Sequence, residues 1–208
     1  MSLTIFLSIL ALHLVAAISP GPSFVVSVRT AASEGFRPAA GLAAAFGLGA
    51  IIWALAALFG LALIFELLPT AYLGFKIAGG LFLTWVGIKT ILHAKDPLPT
   101  ASLTVTDIAA PRTIASAVRL GLLTQLANPK PAIFFGAVFA GLIPPETSVF
   151  TLAALLFLVF INETMWYLFV AAVFSRKKAR DLYARAKLWT DRVLGGMIAL
   201  FGLKIAAG

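Results

Sequence analysis

Two long stretches of this chain carry no charge, and they limit what it can fold into more than any other feature. No Asp, Glu, Lys or Arg occurs in residues 1–28 or in residues 38–65. A helix that crosses a bilayer needs about 20 mainly apolar residues, and both stretches exceed that. Composition agrees: 61% of the 208 residues are hydrophobic and 12% are charged, against about 45–50% and about 25% in soluble domains. A water-facing fold has no interior large enough for so much apolar surface. The expected class is an all-α integral membrane protein, because helices satisfy their own backbone in lipid. The amino terminus lacks a positive n-region, and its apolar run continues into Ser19-Pro20-Gly21-Pro22. It reads as a retained first helix rather than a signal peptide.

Six apolar blocks can be drawn, at residues 5–28, 39–65, 72–92, 120–143, 149–174 and 188–206. The one long connection is polar and contains Pro97, Pro99 and Pro111. The expected organisation is a first three-helix unit over 1–92, a cytoplasmic linker over 93–118 and a second three-helix unit over 119–208. The linker reads as an extended tether.

Loop charge orients the spans. Of the sixteen Lys and Arg, thirteen fall in or beside the first, third and fifth loops, and none in the second or fourth. Positive loops mark the cytoplasmic face, so both termini are expected outside, periplasmic or extracellular. The same reasoning accounts for the net charge of +8 without nucleic acid, since no basic stripe interleaves with exposed aromatics. The chain has no cysteine, which excludes disulfides, thiol redox relays and thiolate metal sites. His13 and His93 lie too far apart for a local metal motif. No cofactor is expected.

The two units look alike. Ser19-Pro20-Gly21-Pro22-Ser23 in the first helix has a counterpart in Asn128-Pro129-Lys130-Pro131 in the fourth. Lys76-Ile77-Ala78-Gly79-Gly80 and Gly87-Ile88-Lys89 in the third parallel Arg192-Val193-Leu194-Gly195-Gly196 and Gly202-Leu203-Lys204 in the sixth, with a slip of one residue. Three helices per unit make the repeat inverted, as in secondary transporters, whose sites lie near the midplane between the repeats. The expected architecture is therefore a 3+3 inverted-topology repeat with broken first and fourth helices.

Proline inside a helix removes a donor and clashes with the preceding turn. Lipid cannot satisfy the freed groups, so such breaks belong inside protein or beside water. A broken helix also presents N–H groups and a positive dipole end, a receptor for a carboxylate. Ser19, Ser23 and Ser27 repeat every four residues, as on one helix face, and Thr124, Gln125 and Asn128 lie close together on the fourth helix. Gly41, Ala45 and Gly49 form a small-residue packing seam on the second. Lys130 and Glu163 are charges at helix centres, a costly placement that calls for a cavity or a partner. They are either a structural ion pair or groups that meet substrate and proton. His13 is either a proton relay or a histidine hydrogen-bonded within the bundle.

These residues resemble the LysE/RhtB family of amino-acid exporters over nearly the whole chain. The resemblance rests on Pro20-Gly21-Pro22, Gly35 and Gly41, then Gly121 with Asn128-Pro129-Lys130, and Glu163 with Trp166. Pro131, where the family pattern suggests a small residue, is a departure. The resemblance implies a bacterial inner-membrane carrier, not an enzyme, that expels amino acids or close derivatives and is driven by protons. Its partners would be an amino-acid substrate, membrane lipid and the proton as coupling ion, with a homo-oligomer possible. The expected substrate-binding residues are Ser19, Pro20, Gly21, Pro22, Ser23, Asn128, Pro129 and Lys130; Glu163 and His13 are the expected proton-coupling residues. An exporter of metal cations would want clustered carboxylates, histidines or thiolates. An intramembrane enzyme would want a nucleophile beside a base, and neither G-x-S-x-G nor H-E-x-x-H occurs. A scaffold without transport gives no reason for two breaks.

Overall fold

The computed structural model describes residues 1–67, 69–96 and 113–207, and among these the secondary structure is helical throughout. The helices are α1 (Leu3–Ile18), α2 (Pro22–Ser33), α3 (Phe36–Leu67), α4 (Pro69–Leu92), α5 (Ile114–Ala127), α6 (Pro129–Leu142), α7 (Val149–Phe174) and α8 (Lys177–Ala207), with a 3-10 turn at His93–Lys95 after α4. Most of the expected linker, residues 97–112, lies outside the described residues. Thr113 caps α5 through its side chain, so that helix starts ahead of the boundary expected at residue 119.

Both proline motifs interrupt their helices. The α1 helix ends at the extended Ser19, and Pro22 takes the first position of α2, where its missing N–H costs nothing. The axis turns by 57° between them. Asn128 alone separates α5 from α6, and Pro129 again opens the second helix. Ser19 therefore closes α1 while Ser23 and Ser27 sit on α2, so the expected serine stripe is not one helix face. The break lies at residues 19–21, before Pro22.

By length and apolarity, Phe36–Gly60, Ile77–Lys95 and Val149–Phe174 can each cross a membrane, and the bent α1–α2 pair has the length and apolarity for a fourth crossing only if its two halves act as one broken span. The expected fourth span is divided into two 14-residue helices, each shorter than a span. The expected sixth span is not among the qualifying helices, because Asp191, Arg192 and Lys204 interrupt its apolar run. The fifth loop was expected to be basic, but most of it is the first half of α8. Lys, Ala, Arg and Leu are good helix formers, and helix continues where the apolar run has not begun.

Two apolar clusters hold the helices together, and the breaks lie between them. One contains Ile9 and Ala16 of α1, Ala50 and Ala54 of α3, Phe134–Ala140 of α6, and Leu155 and Val159 of α7. The other contains Phe24 and Val28 of α2, Leu42 and Phe46 of α3, Ala117 of α5, and Tyr167, Val170 and Phe174 of α7. Each broken pair thus sends one half to each cluster, while α3 and α7 run through both. The seam between the clusters crosses α7 at Glu163. Large apolar side chains such as Leu3, Phe59, Phe150 and Leu200 point outward, as a lipid-facing surface requires.

Glycine sets the tightest packing. A Cβ on Gly80 would lie 2.6 Å from Gly202 O and Ala206 N, and one on Gly195 would lie 2.6 Å from Gly87 O. The two backbones approach through glycines at both levels, as van der Waals packing in lipid favours. The contacts are reciprocal: Gly80 and Gly87 of α4 meet Gly202 and Gly195 of α8 in antiparallel order. Taking Gly80 rather than Gly79 as the counterpart of Gly195 removes the one-residue slip. The Gly41–Ala45–Gly49 seam packs α3 on α5, as expected: a Cβ on Gly41 would meet Ala117 Cβ at 3.3 Å, and one on Gly121 would meet Ala45 Cβ at 2.8 Å.

Candidate functional site

The polar residues of α1, α2, α5, α6 and α7 collect at the seam between the apolar clusters. They form one chain of contacts across both breaks. Asn128 Nδ2 donates to Ser23 Oγ (3.3 Å), and Ser23 Oγ donates to Gln125 Oε1. Gln125 Nε2 donates to Glu163 Oε1 (2.8 Å), and Glu163 Oε2 lies 3.4 Å from His13 Nε2. Asn162 Nδ2 meets His13 Nδ1 (3.2 Å) and donates to Leu10 O (3.1 Å). With Asn162 as donor, Nδ1 accepts and the ring proton belongs on Nε2, facing the carboxylate. The ring stacks on Phe135 with centroids 5.3 Å apart. Ser23, Gln125, Asn128, Glu163 and His13 are all buried, and buried polar groups are stable only when partnered in this way.

Lys130 is held separately. Its Nζ donates to Ser19 O (2.7 Å), the carbonyl freed where α1 stops, so the second break reaches across to the first. Its side chain lies over Gly21, where a Cβ would be 3.7 Å from Nζ. No ion pair within 4 Å joins Lys130 to Glu163 among the described residues; the carboxylate's partners are Gln125 and His13. The direct structural pair is thereby corrected. Glu163 sits mid-helix on α7, and Lys130 is drawn instead to the exposed carbonyl of the broken α1.

The two breaks are chemically unequal. Asn128 Oδ1 accepts from the Lys130 N–H (3.1 Å) and so caps α6 from within the chain. Gly21 gives α2 no side-chain cap. The start of α2 thus lacks the side-chain acceptor that α6 has, and the Lys130 ammonium lies alongside it.

His13, Ser23, Gln125, Asn128, Lys130, Glu163 and Tyr167 surround a cavity of about 30 Å³, room for a water or two. Next to it, and sharing Asn128 and Lys130, lies a vestibule of about 390 Å³, within the range of about 300–1,000 Å³ usual for small-molecule sites. Pro20, Gly21, Pro22 and Pro129 line the vestibule, with Phe82, Trp85 and Lys89 of α4 and Lys187 and Asp191 of α8. Ser19 is fixed from α4 through Thr90 Oγ1 (3.2 Å). Nine of the ten expected site residues thus line these two adjoining spaces, and Ser19 is bonded to Thr90 and Lys130, which line the vestibule.

Three neighbours, Asn162, Tyr167 and Thr90, escaped the sequence reading, and Gln125 was noted beside Asn128 without being given a role in the site. Gln125 stands one turn before Asn128, and its position follows from Gly49, where a Cβ would lie 2.7 Å from Gln125 Cγ. Asn162 directly precedes Glu163 on α7, and Tyr167 is one turn after it. Thr90 lay hidden at the edge of a basic loop.

Apolar helices of spanning length, packed with two helix pairs broken at proline around a buried centre of mixed charge, fit a membrane transport protein. The chain belongs to the family of LysE type translocators, which it matches over residues 14–208. It is 31% identical to the threonine efflux protein of Escherichia coli (strain K12), over 98% of each chain. It is 30% identical to the threonine efflux protein of Salmonella typhi, also over 98% of each. The chemotactic transduction protein ChpE of Pseudomonas aeruginosa is 30% identical over 67% of this chain and 66% of its own. No solved structure matches.

Proposed function

We infer that this protein exports a small amino acid, or a close derivative, from the cytoplasm across the bacterial inner membrane in exchange for protons. The observation that carries the reading is the centre itself. A lysine and a glutamate that do not pair with each other face one buried cavity, between an uncapped helix start and a polar network. A zwitterion brings a carboxylate and an ammonium, and each needs an opposite partner once stripped of water. The carboxylate docks at the start of α2 beside Lys130. The ammonium docks at Glu163, with Gln125 and Asn128 supporting it. The efflux proteins named above support the direction and the substrate class.

Six spans in a 3+3 inverted repeat, with both termini outside, suit this function. The reciprocal Gly80–Gly202 and Gly87–Gly195 contacts are what a twofold axis between α4 and α8 would generate. The third and fifth loops carry basic residues, so the vestibule beside Lys89 and Lys187 opens toward the cytoplasm. An amino acid does not fit the central 30 Å³. It waits in the vestibule until the helices part, as alternating access requires. Glu163 and His13 carry the proton: the carboxylate releases it on the cytoplasmic side and accepts it outside. Metal-cation export has less support, since no three of His, Cys, Asp and Glu gather as a metal site among the described residues.

The test is uptake of radiolabelled amino acids, L-threonine first, into inverted vesicles containing the protein. An acid interior should drive accumulation, and dissipating the gradient should collapse it. Failure to accumulate any amino acid above empty vesicles overturns the reading.

A further inference from the structure

The vestibule contains an anionic group that the proposed centre does not use. Asp191 of α8 is 1% exposed and lines the 390 Å³ space together with Trp85, Lys130 and Lys187. Its Oδ2 accepts from Lys187 Nζ at 2.7 Å. Lys187 Nζ also donates to His93 O (3.3 Å) and Ala94 O (3.2 Å), so all three ammonium donors are engaged. Asp191 Oδ1 is buried and has no hydrogen-bond partner among the described residues.

Fastening α8 to the end of α4 accounts for Lys187, which satisfies carbonyls that the helix end leaves free. It accounts for Oδ2 as well. It leaves Oδ1 unexplained, and a buried carboxylate oxygen without a donor is costly. The neighbouring cavity suits the missing donor. Phe82 and Trp85 give an apolar wall for a short side chain, and Lys130 stands on the shared wall with the central site. A ligand with a primary ammonium would satisfy Oδ1 without displacing Lys187.

Building on amino-acid export, we propose that Asp191 is a first docking point for the substrate ammonium, occupied from the cytoplasmic side before transfer to Glu163. The site recognises a primary ammonium beside a compact apolar group. It acts on capture from one face of the membrane only.

The test compares Asp191→Asn with the unsubstituted protein, using L-threonine or whichever standard amino acid the vesicles take up best. In inverted vesicles the half-saturating concentration should rise about ten-fold or more, the effect of one lost charge-assisted hydrogen bond. The maximal rate should stay within about two-fold. In right-side-out vesicles the half-saturating concentration should not move. An unchanged value in inverted vesicles overturns the proposal, and so does an equal rise in both orientations, which marks a structural effect. A second measurement leaves Asp191 intact, in case the variant does not fold. The chain has no cysteine, so Val25→Cys in the vestibule wall gives a single maleimide target. The amino acid should slow its labelling, and the corresponding 2-hydroxy acid should not. Equal effects of the two compounds, or none from either, overturn the proposal. If the unsubstituted protein takes up no amino acid, export fails and this inference with it. If uptake is normal and Asp191→Asn is indistinguishable, the inference alone fails.

Discussion

Lys130 and Glu163 carry opposite charges into the same buried space, yet each is held by something else: the Ser19 carbonyl for one, Gln125 and His13 for the other. This separation lets their roles be tested one at a time. Lys130→Ala removes a cation at the start of α2 and should raise the half-saturating concentration about ten-fold or more, leaving the response to a pH gradient intact. Glu163→Gln keeps the shape and still accepts from Gln125, but carries no exchangeable charge. It should abolish stimulation by the gradient and leave at best gradient-independent exchange, measured by counterflow in vesicles. A Glu163→Gln protein that still pumps against a gradient at the native rate reduces Glu163 to a structural partner. The members of this centre were legible in the sequence because a charge, an asparagine or a histidine stands out in an apolar run. Their pairing was not. Whether Lys130 reaches Glu163 or Ser19 depends on where the broken α1 leaves its last carbonyl. Asn162 became visible as the partner of His13 only when α1 and α7 were placed side by side.

The eight helices show which sequence signals translate into geometry. The proline motifs predicted two breaks, and both occur, because proline's steric demands are local and tolerate little context. Helix ends followed less closely: α8 begins well before its apolar run, since hydropathy marks where lipid starts rather than where helix does. The glycine pairs stood out in the sequence, but only their packing partners tell what each glycine faces: a Cβ on Gly79 would meet Ala137 Cβ of α6 at 2.5 Å. Gly80 and Gly195 each face the backbone of the opposite helix, whereas a Cβ on Gly196 would meet nothing within 4 Å. Gly80→Ala or Gly195→Ala should therefore force α4 and α8 apart at a cost of about 1–3 kcal/mol, seen as a lower melting temperature in detergent. Gly196→Ala should leave it unchanged. Gly49→Ala belongs to the same class with a different readout. The added methyl would press on Gln125 Cγ at 2.7 Å, so transport should fall more than stability as the Gln125–Glu163 bond is displaced.

At the scale of the whole molecule, the strongest constraint is the division of charge between the loops. Basic residues cluster around the end of α4 and the start of α8, whereas residues 144–148, between α6 and α7, contain none. The α5–α6 pair must cross the membrane for these regions to lie on opposite faces, even though each half is shorter than a span. Together the halves supply 28 helical residues, about 42 Å at 1.5 Å per residue, and the bilayer core is about 30 Å thick. The length suffices, provided the break does not fold one half back on the other. A folded-back pair would instead return the chain to the side it came from, put α7 in the opposite sense and destroy any inverted relation between the units. Cysteine labelling decides between the two. Lys95 and Glu146 are both exposed, and the chain has no native cysteine to interfere. Lys95→Cys should react with a membrane-impermeant maleimide only in inverted vesicles or opened cells, and Glu146→Cys should react in intact cells once the outer membrane is permeabilised. Labelling of both from one side would make α5–α6 a re-entrant pair and overturn the proposed twofold relation between the two breaks. The Lys130–Ser19 bond would then join two loops dipping from one surface, and the vestibule would lose its opposite exit.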